Sequence, residues 1–96
     1  MAFTLRPLPR FARKFKKLVQ PGSALAVRFE RTLTLLAQNP AAPSLRTHKV
    51  NLAGVKVYSS SVSGDLRVIW RYADGVLDVI DLLDVGGHEG SRGVYR

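Results

Sequence analysis

The sequence predicts an α+β fold in which an N-terminal strand and an antiparallel helical hairpin pack on a mainly antiparallel sheet of about four strands. Apolar residues recur at helical spacing between residues 10 and 38. From residue 54 onward the apolar period changes to two, which is typical of strands. The chain has 96 residues, enough for one compact domain, residues 1–96, with a single core.

The first element is a short strand over residues 2–6. Phe3 and Leu5 alternate there with Thr4 and Arg6, and such alternation indicates a strand with one apolar face. Two prolines follow within the next three residues, so we expect the strand to end there.

Two helices come next, over residues 10–19 and about 24–38. The segment "QPGS" separates them, and its Ser23 is suited to cap the second helix. A link this short predicts an antiparallel helical hairpin. The apolar stripe of the first helix consists of Phe11, Phe15 and Leu18, and that of the second consists of Leu25, Phe29, Leu33 and Leu36.

Three strands are predicted over residues 54–62, 65–72 and 76–85, after a loop at 39–44. The turns "SGD" and "ADG" join them, and connections this short require antiparallel neighbours. In the middle strand, one face presents Leu66, Val68, Trp70 and Tyr72, and the other presents Arg67, Ile69 and Arg71. We expect the first set to pack on the helices, so that the two arginines face outward.

The last predicted strand contains three acids, Asp78, Asp81 and Asp84. The rest of this strand is apolar on both faces. We therefore interpret the acids as partners of neighbouring arginines.

The composition is strongly basic, with 15 Lys and Arg against 7 Asp and Glu and a net charge of +8. This imbalance favours binding to a polyanion or to an acidic partner protein; the alternative is a basic surface that only keeps the protein soluble. Five of the cations lie on the first predicted helix: Arg10, Arg13, Lys14, Lys16 and Lys17. They form either a phosphate-binding surface or a solvated helix face.

Several classes of protein and site are excluded or made improbable by what the sequence lacks. It contains no cysteine, which removes disulfides, thiolate nucleophiles and cysteine-based zinc sites. Its two histidines have no acidic partners at ligand spacing, so we expect no metal and no cofactor. Apolar runs are too short to span a bilayer, and prolines interrupt the N-terminal segment where a secretory signal would be apolar. We therefore expect a soluble, intracellular protein without membrane contact.

Three segments together resemble a known family. They are "LRTHKVNLAG" at 45–54, "YSSSVSGDLRVIWRY" at 58–72 and "LLDVGGHEG" at 82–90, followed by a terminal "VYR". They resemble the RelE/ParE superfamily of bacterial toxins from type II toxin–antitoxin systems, in particular its mRNA-interferase branch. The resemblance covers essentially the whole chain, and "DLRVIW" and "VGGH" are its most specific parts.

This resemblance implies a RelE-like fold and a cytoplasmic toxin that cleaves mRNA in the ribosomal A site without a metal. Its partners would be the ribosome, mRNA and a cognate antitoxin that forms a hetero-oligomer with the toxin, which is a monomer when free. Such cleavage by the neighbouring 2′-hydroxyl needs a base, an acid and cations that stabilise the charge on the phosphorus oxygens.

The resemblance also implies roles for individual residues. Arg67 would bind the scissile phosphate through its planar fork of donors; the alternative is a sheet arginine paired with an aspartate. His88 would act as general acid or base, or else is a solvated histidine of a glycine-rich turn. His48 would be the second proton carrier. The remaining substrate or phosphate contacts would be Arg46, Lys49, Arg71 and Tyr95, and the basic helix would contact ribosomal RNA.

Tyr95 departs from the family's spacing. It follows His88 by seven positions in "HEGSRGVY", whereas the family commonly has H-x-x-V-Y. It would stack on a base or orient the phosphate, or else close the core as a C-terminal cap.

Two other functions are compatible with the same fold. A ParE-like toxin would inhibit DNA gyrase by binding, with no nuclease chemistry. A catalytically inactive homologue would only bind its antitoxin. Fold alone does not separate these functions.

Overall fold

The computed structural model describes residues 2–87, and within them the chain forms five strands, two α-helices and a short 3₁₀ helix. In chain order these are β1 Thr4–Pro7, α1 Pro9–Leu18, α2 Ala24–Gln38, the 3₁₀ helix Pro43–Leu45, β2 His48–Leu52, β3 Val55–Ser63, β4 Leu66–Tyr72 and β5 Val79–Gly86. No helix in this part of the chain is both long and apolar enough to cross a membrane.

The described strands form one sheet in the order β1-β5-β4-β3-β2. The pairs β2–β3, β3–β4 and β4–β5 are antiparallel, and β1 is parallel to β5. The predicted α+β class with a mainly antiparallel sheet is therefore confirmed. The sheet has five strands rather than about four because β2 precedes the first strand of the predicted meander.

The turn between β2 and β3 explains why the sequence did not reveal β2. Its two residues, Ala53 and Gly54, both have positive φ, 49° and 80°. Two-residue hairpin turns of this handedness are normally signalled by Asn-Gly or Asp-Gly. Alanine rarely adopts positive φ, so "AG" gives no such signal.

The start of β5 was predicted three residues too early, at residue 76. Residues 76–78 belong instead to the β4–β5 loop, where Leu77 is 91% exposed and Asp78 has a φ of 58°. The Ala73 N–H donates to the Val79 carbonyl at 2.9 Å and closes this loop. The apolar pattern extended into the turn because two of the turn residues are apolar but solvent-exposed.

The helices cover one face of the sheet and bury the main core against it. Ser23 caps α2 as predicted, since its Oγ accepts from the Ala26 N–H at 3.1 Å. The helices meet where Phe15 and Phe29 pack edge to face, with ring centroids 5.1 Å apart. The core contains Phe11, Phe29, Leu36, Val68, Trp70, Ile80, Leu82 and Val85, each at most 3% exposed.

The two faces of β4 have different environments, as predicted. Val68 and Trp70 pack in the main core beneath the helices. Ile69 instead packs on the opposite face with Val57, in a small cluster that includes Leu83 of β5. We call this second face the open face. The outward-facing side chains of β4 belong to it.

The two acids of β5 form ion pairs with residues of neighbouring elements. The Arg6 Nε donates to Asp81 at 2.6 Å, and the Arg71 Nε lies 3.7 Å from the same carboxylate. The predicted arginine pairing is thus confirmed for Asp81. Asp84 pairs with a lysine instead, Lys14 of α1, at 2.7 Å.

Replacing Leu36 by alanine should destabilise the protein by about 2–5 kcal/mol, because the side chain is fully buried and its removal leaves a cavity. Urea unfolding followed by circular dichroism measures this change. The matched control is Leu77→Ala, at a 91% exposed position, for which we expect a change within about 0.5 kcal/mol. Equal effects of the two substitutions would contradict the packing described above.

Stability should also depend on the Asp81 carboxylate. The hydrogen bond from Arg6 lowers the pKa of Asp81 from its ordinary value, against the opposing effect of burial. A carboxyl whose pKa is lower in the folded state stabilises the fold above the unfolded pKa of about 3.9 and loses this effect as pH falls through the folded value. Asp81→Asn should therefore lower Tm at pH 7, and the difference should shrink below about pH 4.

Thermal melts of both proteins between pH 2 and 8 measure this dependence. Asp74→Asn, in the exposed β4–β5 loop, is the matched control and should leave the Tm profile nearly unchanged. If the Tm difference between the wild-type protein and Asp81→Asn is constant across this pH range, the proposed dependence of stability on the Asp81 carboxylate is wrong.

Candidate active site

Arg67 is the centre of a hydrogen-bonded cluster on the open face. Its Nε donates to the Ser59 Oγ at 2.9 Å, and its Nη2 donates to the Ser59 carbonyl at 3.1 Å. Nη2 also donates to the Arg46 carbonyl at 3.1 Å and lies 3.2 Å from the His48 Nδ1. The guanidinium is thus fixed by β2, by β3 and by the loop before β2.

The sheet register brings these groups together. His48 is the cross-strand partner of Ser59, so both side chains project from the open face. Arg67 pairs with Ser61 on β3 and with Gly86 on β5. Because side chains alternate along a strand, Ser59 and Arg67 reach the same face from adjacent strands.

The His48 ring lies beside the Arg67 guanidinium, with its Nδ1 3.2 Å from Nη2. The two N–H groups of Nη2 already bind the Ser59 and Arg46 carbonyls, so this contact does not select a tautomer of His48. His48 is exposed, and a ligand on the open face can reach its ring.

The loop before β2 is anchored to the core. Arg46 has a left-handed backbone, with a φ of 48°, and its N–H donates to the Pro43 carbonyl at 3.1 Å. The next residue, Thr47, shares a 2.6 Å hydrogen bond with the Ser60 Oγ, which also accepts from the Trp70 Nε1 at 2.8 Å. This chain of hydrogen bonds holds the Arg46 carbonyl in position for Arg67.

Sequence reasoning missed the polar partners of Arg67. The run "YSSSV" was interpreted only as strand, although its serines alternate between the two faces of β3. Ser59 bonds to Arg67 on the open face. Ser60 bonds to Trp70 on the other face, which the helices cover and which we call the covered face. Buried hydroxyls in a central strand need partners. That requirement is the signal in the sequence that could have revealed a polar site here.

Arg46 contributes to two surfaces. Its carbonyl accepts from Arg67 on the open face, and the residue also lines a groove of about 390 Å³ beside the 3₁₀ helix. Tyr58, Trp70 and Tyr72 also line this groove. Burial, together with the nearby Tyr58, raises the pKa of Tyr72 above its ordinary value.

Lys49 and Arg71 lie away from the Arg67 cluster. Lys49 pairs with Tyr58, so it projects from the opposite side of β2 to His48. Arg71 shares the open face with Arg67 but lies beside Asp81. The phosphate-binding roles of Arg46, Lys49 and Arg71 stay predictions.

Four of the five cations of α1 are exposed. Arg10, Arg13, Lys16 and Lys17 are exposed, whereas Lys14 is half-buried and paired with Asp84. Lys14 therefore fixes α1 to β5, in addition to any contact with a partner.

Two of the predicted site residues, His88 and Tyr95, lie outside the described residues 2–87. β5 ends at Gly86, the cross-strand partner of Arg67, two positions before His88 in the sequence. Among the residues that the structure describes, no three His, Cys, Asp or Glu side chains are grouped so that they could hold a metal ion.

Searches with the sequence find neither a matching family model nor a matching curated protein. The structure, by contrast, is similar to solved toxin structures. RelE in the archaeal RelE–RelB complex from Pyrococcus horikoshii has a TM-score of 0.70 at 19% identity, with 95% of this chain and 100% of that chain covered. A YoeB/ParE toxin from Agrobacterium tumefaciens has a TM-score of 0.73 at 9% identity, covering 90% of this chain and 99% of that one.

A third similar structure is the Escherichia coli DinJ–YafQ toxin–antitoxin complex, with a TM-score of 0.69 at 13% identity and coverage of 92% of this chain and 94% of that chain. Identities this low establish a shared fold and leave the activity open. The chain therefore has the fold of the RelE/ParE toxins, as the resemblance in its sequence predicted.

Proposed function

We propose that this protein is the toxin of a toxin–antitoxin system and that it cleaves mRNA on the ribosome, with Arg67 binding the scissile phosphate. The observation that supports this proposal is the fixed guanidinium of Arg67 on the open face of the sheet. Its hydrogen bonds to the described chain use Nε and Nη2, which leaves Nη1 for a substrate oxygen. A donor held in advance stabilises developing charge without reorganising.

The proposed chemistry is attack of a ribose 2′-oxygen on the neighbouring phosphorus. The bond from the 2′-oxygen to phosphorus forms, the bond from phosphorus to the 5′-oxygen breaks, and a 2′,3′-cyclic phosphate remains. The 2′-hydroxyl proton goes to a base, and the leaving 5′-oxygen receives a proton from an acid. Arg67 stabilises the charge on the phosphorus oxygens in this step.

His48 and His88 are the proposed proton carriers. The exposed His48 ring lies beside the Arg67 guanidinium, with its Nδ1 3.2 Å from Nη2, so it adjoins the proposed position of the phosphate. His88 is proposed as acid or base on the sequence resemblance, and its position two residues after the strand that pairs with Arg67 supports this role.

The remaining surfaces fit the proposed partners. The exposed cations of α1, with a net charge of +8 for the chain, favour contact with ribosomal RNA phosphates, which position a protein without reading sequence. An antitoxin partner is proposed because similar folds occur in the RelE–RelB and DinJ–YafQ complexes. An activity on ribosomes places the protein in the cytoplasm.

Replacing Arg67 by glutamine should lower the rate of mRNA cleavage by about 100- to 1,000-fold, the usual loss for one preorganised donor. Primer extension on a reporter mRNA in a reconstituted translation system measures the rate, with ribosome-free reactions alongside. Arg31→Gln, an exposed position on α2, is the matched control. Cleavage by Arg67→Gln at the wild-type rate would contradict the assignment of Arg67.

The same assay distinguishes the two histidines. His88→Ala should cost about 100- to 10,000-fold if His88 transfers a proton, and His48→Ala should cost as much only if His48 is the second proton carrier. A loss below tenfold for His88→Ala would make His88 a loop residue without a catalytic role. Intact mRNA with the wild-type protein, combined with inhibition in a DNA gyrase supercoiling assay, would instead identify a gyrase inhibitor.

A further inference from the structure

Three charged residues lie side by side across three strands of the open face. Arg6 of β1 is the cross-strand partner of Asp81, and Asp81 is the cross-strand partner of Arg71 on β4. The carboxylate therefore lies between two guanidinium groups, on the strand next to the β1 edge of the sheet. The Arg67 cluster uses none of these three side chains.

The carboxylate is buried beneath its two partners. The Asp81 side chain is 3% exposed, whereas those of Arg6 and Arg71 are 51% and 41% exposed. Solvent and ligands thus meet the two guanidinium groups and not the acid. The three groups together have a net charge of +1.

The two arginines are not held equally. The Arg6 Nε donates to Asp81 at 2.6 Å, which is a full hydrogen bond. The Arg71 Nε is 3.7 Å from the carboxylate, and this buried atom has no hydrogen-bond partner among the described residues. One arginine is enough to neutralise the acid, so Arg71 is an additional cation that the ion pair does not require.

We propose that Arg6 and Arg71, positioned by Asp81, form a second phosphate-binding subsite that holds the RNA strand away from the scissile phosphate. Paired arginine forks suit the oxygens of a phosphodiester. The identification of the ligand as RNA rests on the proposed function, and the phosphate chemistry rests on the geometry of the three residues.

The position of the subsite fits a strand that crosses the open face. Arg71 is four residues from Arg67 on β4, which corresponds to about 13 Å along a strand. Single-stranded RNA spans this distance within a few nucleotides. A strand whose scissile phosphate is bound by Arg67 therefore passes the Arg6–Asp81–Arg71 subsite with a neighbouring phosphate.

The test measures binding rather than cleavage. The full chain is titrated with a fluorescein-labelled hexamer of 2′-O-methyl uridine, which has phosphates but no free 2′-hydroxyl, and anisotropy is recorded between 20 and 200 mM salt. Each phosphate contact that is lost should reduce the slope of log K against log salt by about 0.7. Arg71→Gln and Arg6→Gln should each show this reduction, whereas Arg31→Gln on α2 should not.

Asp81→Ala separates positioning from net charge. This substitution raises the net charge by one, so a purely electrostatic patch would bind the hexamer more tightly. If the subsite depends on the carboxylate, Asp81→Ala should bind the hexamer more weakly than the wild-type protein does. Asp74→Ala, which makes the same change in charge, is the control and should retain wild-type binding. Circular dichroism shows whether each variant is folded. If Arg6→Gln does not fold, Arg71→Gln still tests the subsite, because Arg71 makes the weaker contact with Asp81.

The outcomes distinguish this inference from the proposed function. Unchanged slopes for Arg6→Gln and Arg71→Gln, with a reduced slope for Arg67→Gln, would overturn the subsite and leave the proposed cleavage intact. Tighter binding by Asp81→Ala would overturn the positioning by Asp81. Reduced slopes for both arginine variants in a protein that cleaves no mRNA would support the subsite and overturn the proposed function.

Discussion

The burial of Val68 and Trp70 under the helices fixes the orientation of β4, and the open face depends on it. These residues are at most 1% exposed and pack against α1 and α2. A register shift of one residue would bring the arginines of β4 into the core and expose its apolar side chains. The free energy gained by burying Val68 and Trp70 beneath the helices therefore keeps Arg67 and Arg71 on the other side of the sheet.

The covered face also controls the candidate site through hydrogen bonds. The Trp70 Nε1 binds Ser60, and Ser60 binds Thr47. The loop that this chain anchors supplies the Arg46 carbonyl to Arg67. A buried polar group without a partner is costly, so the indole and the hydroxyls hold this loop in one conformation. The packing of the core thus helps to fix the position of the Arg67 guanidinium on the open face.

Much of the fold could be predicted from the sequence because it depends on local patterns. The helical stripe ending at Leu36, the cap at Ser23 and the alternation around Trp70 each have a signal within a few residues. β2 and the start of β5 could not be predicted as well. Ala53 adopts a positive φ that its residue type disfavours, and the exposed Leu77 extends an apolar pattern beyond the strand.

The sequence by itself determined the α+β class, the two faces of β4 and a basic chain with Arg67 pointing outward, since these follow from periodicity and composition. Only the tertiary structure decided which groups meet. The groups around Arg67 come from β2, β3 and a loop, and Arg6 reaches Asp81 because β1 pairs in parallel with β5 across 75 positions. Pairing between distant strands is set by the global packing of the sheet, and no local pattern encodes it.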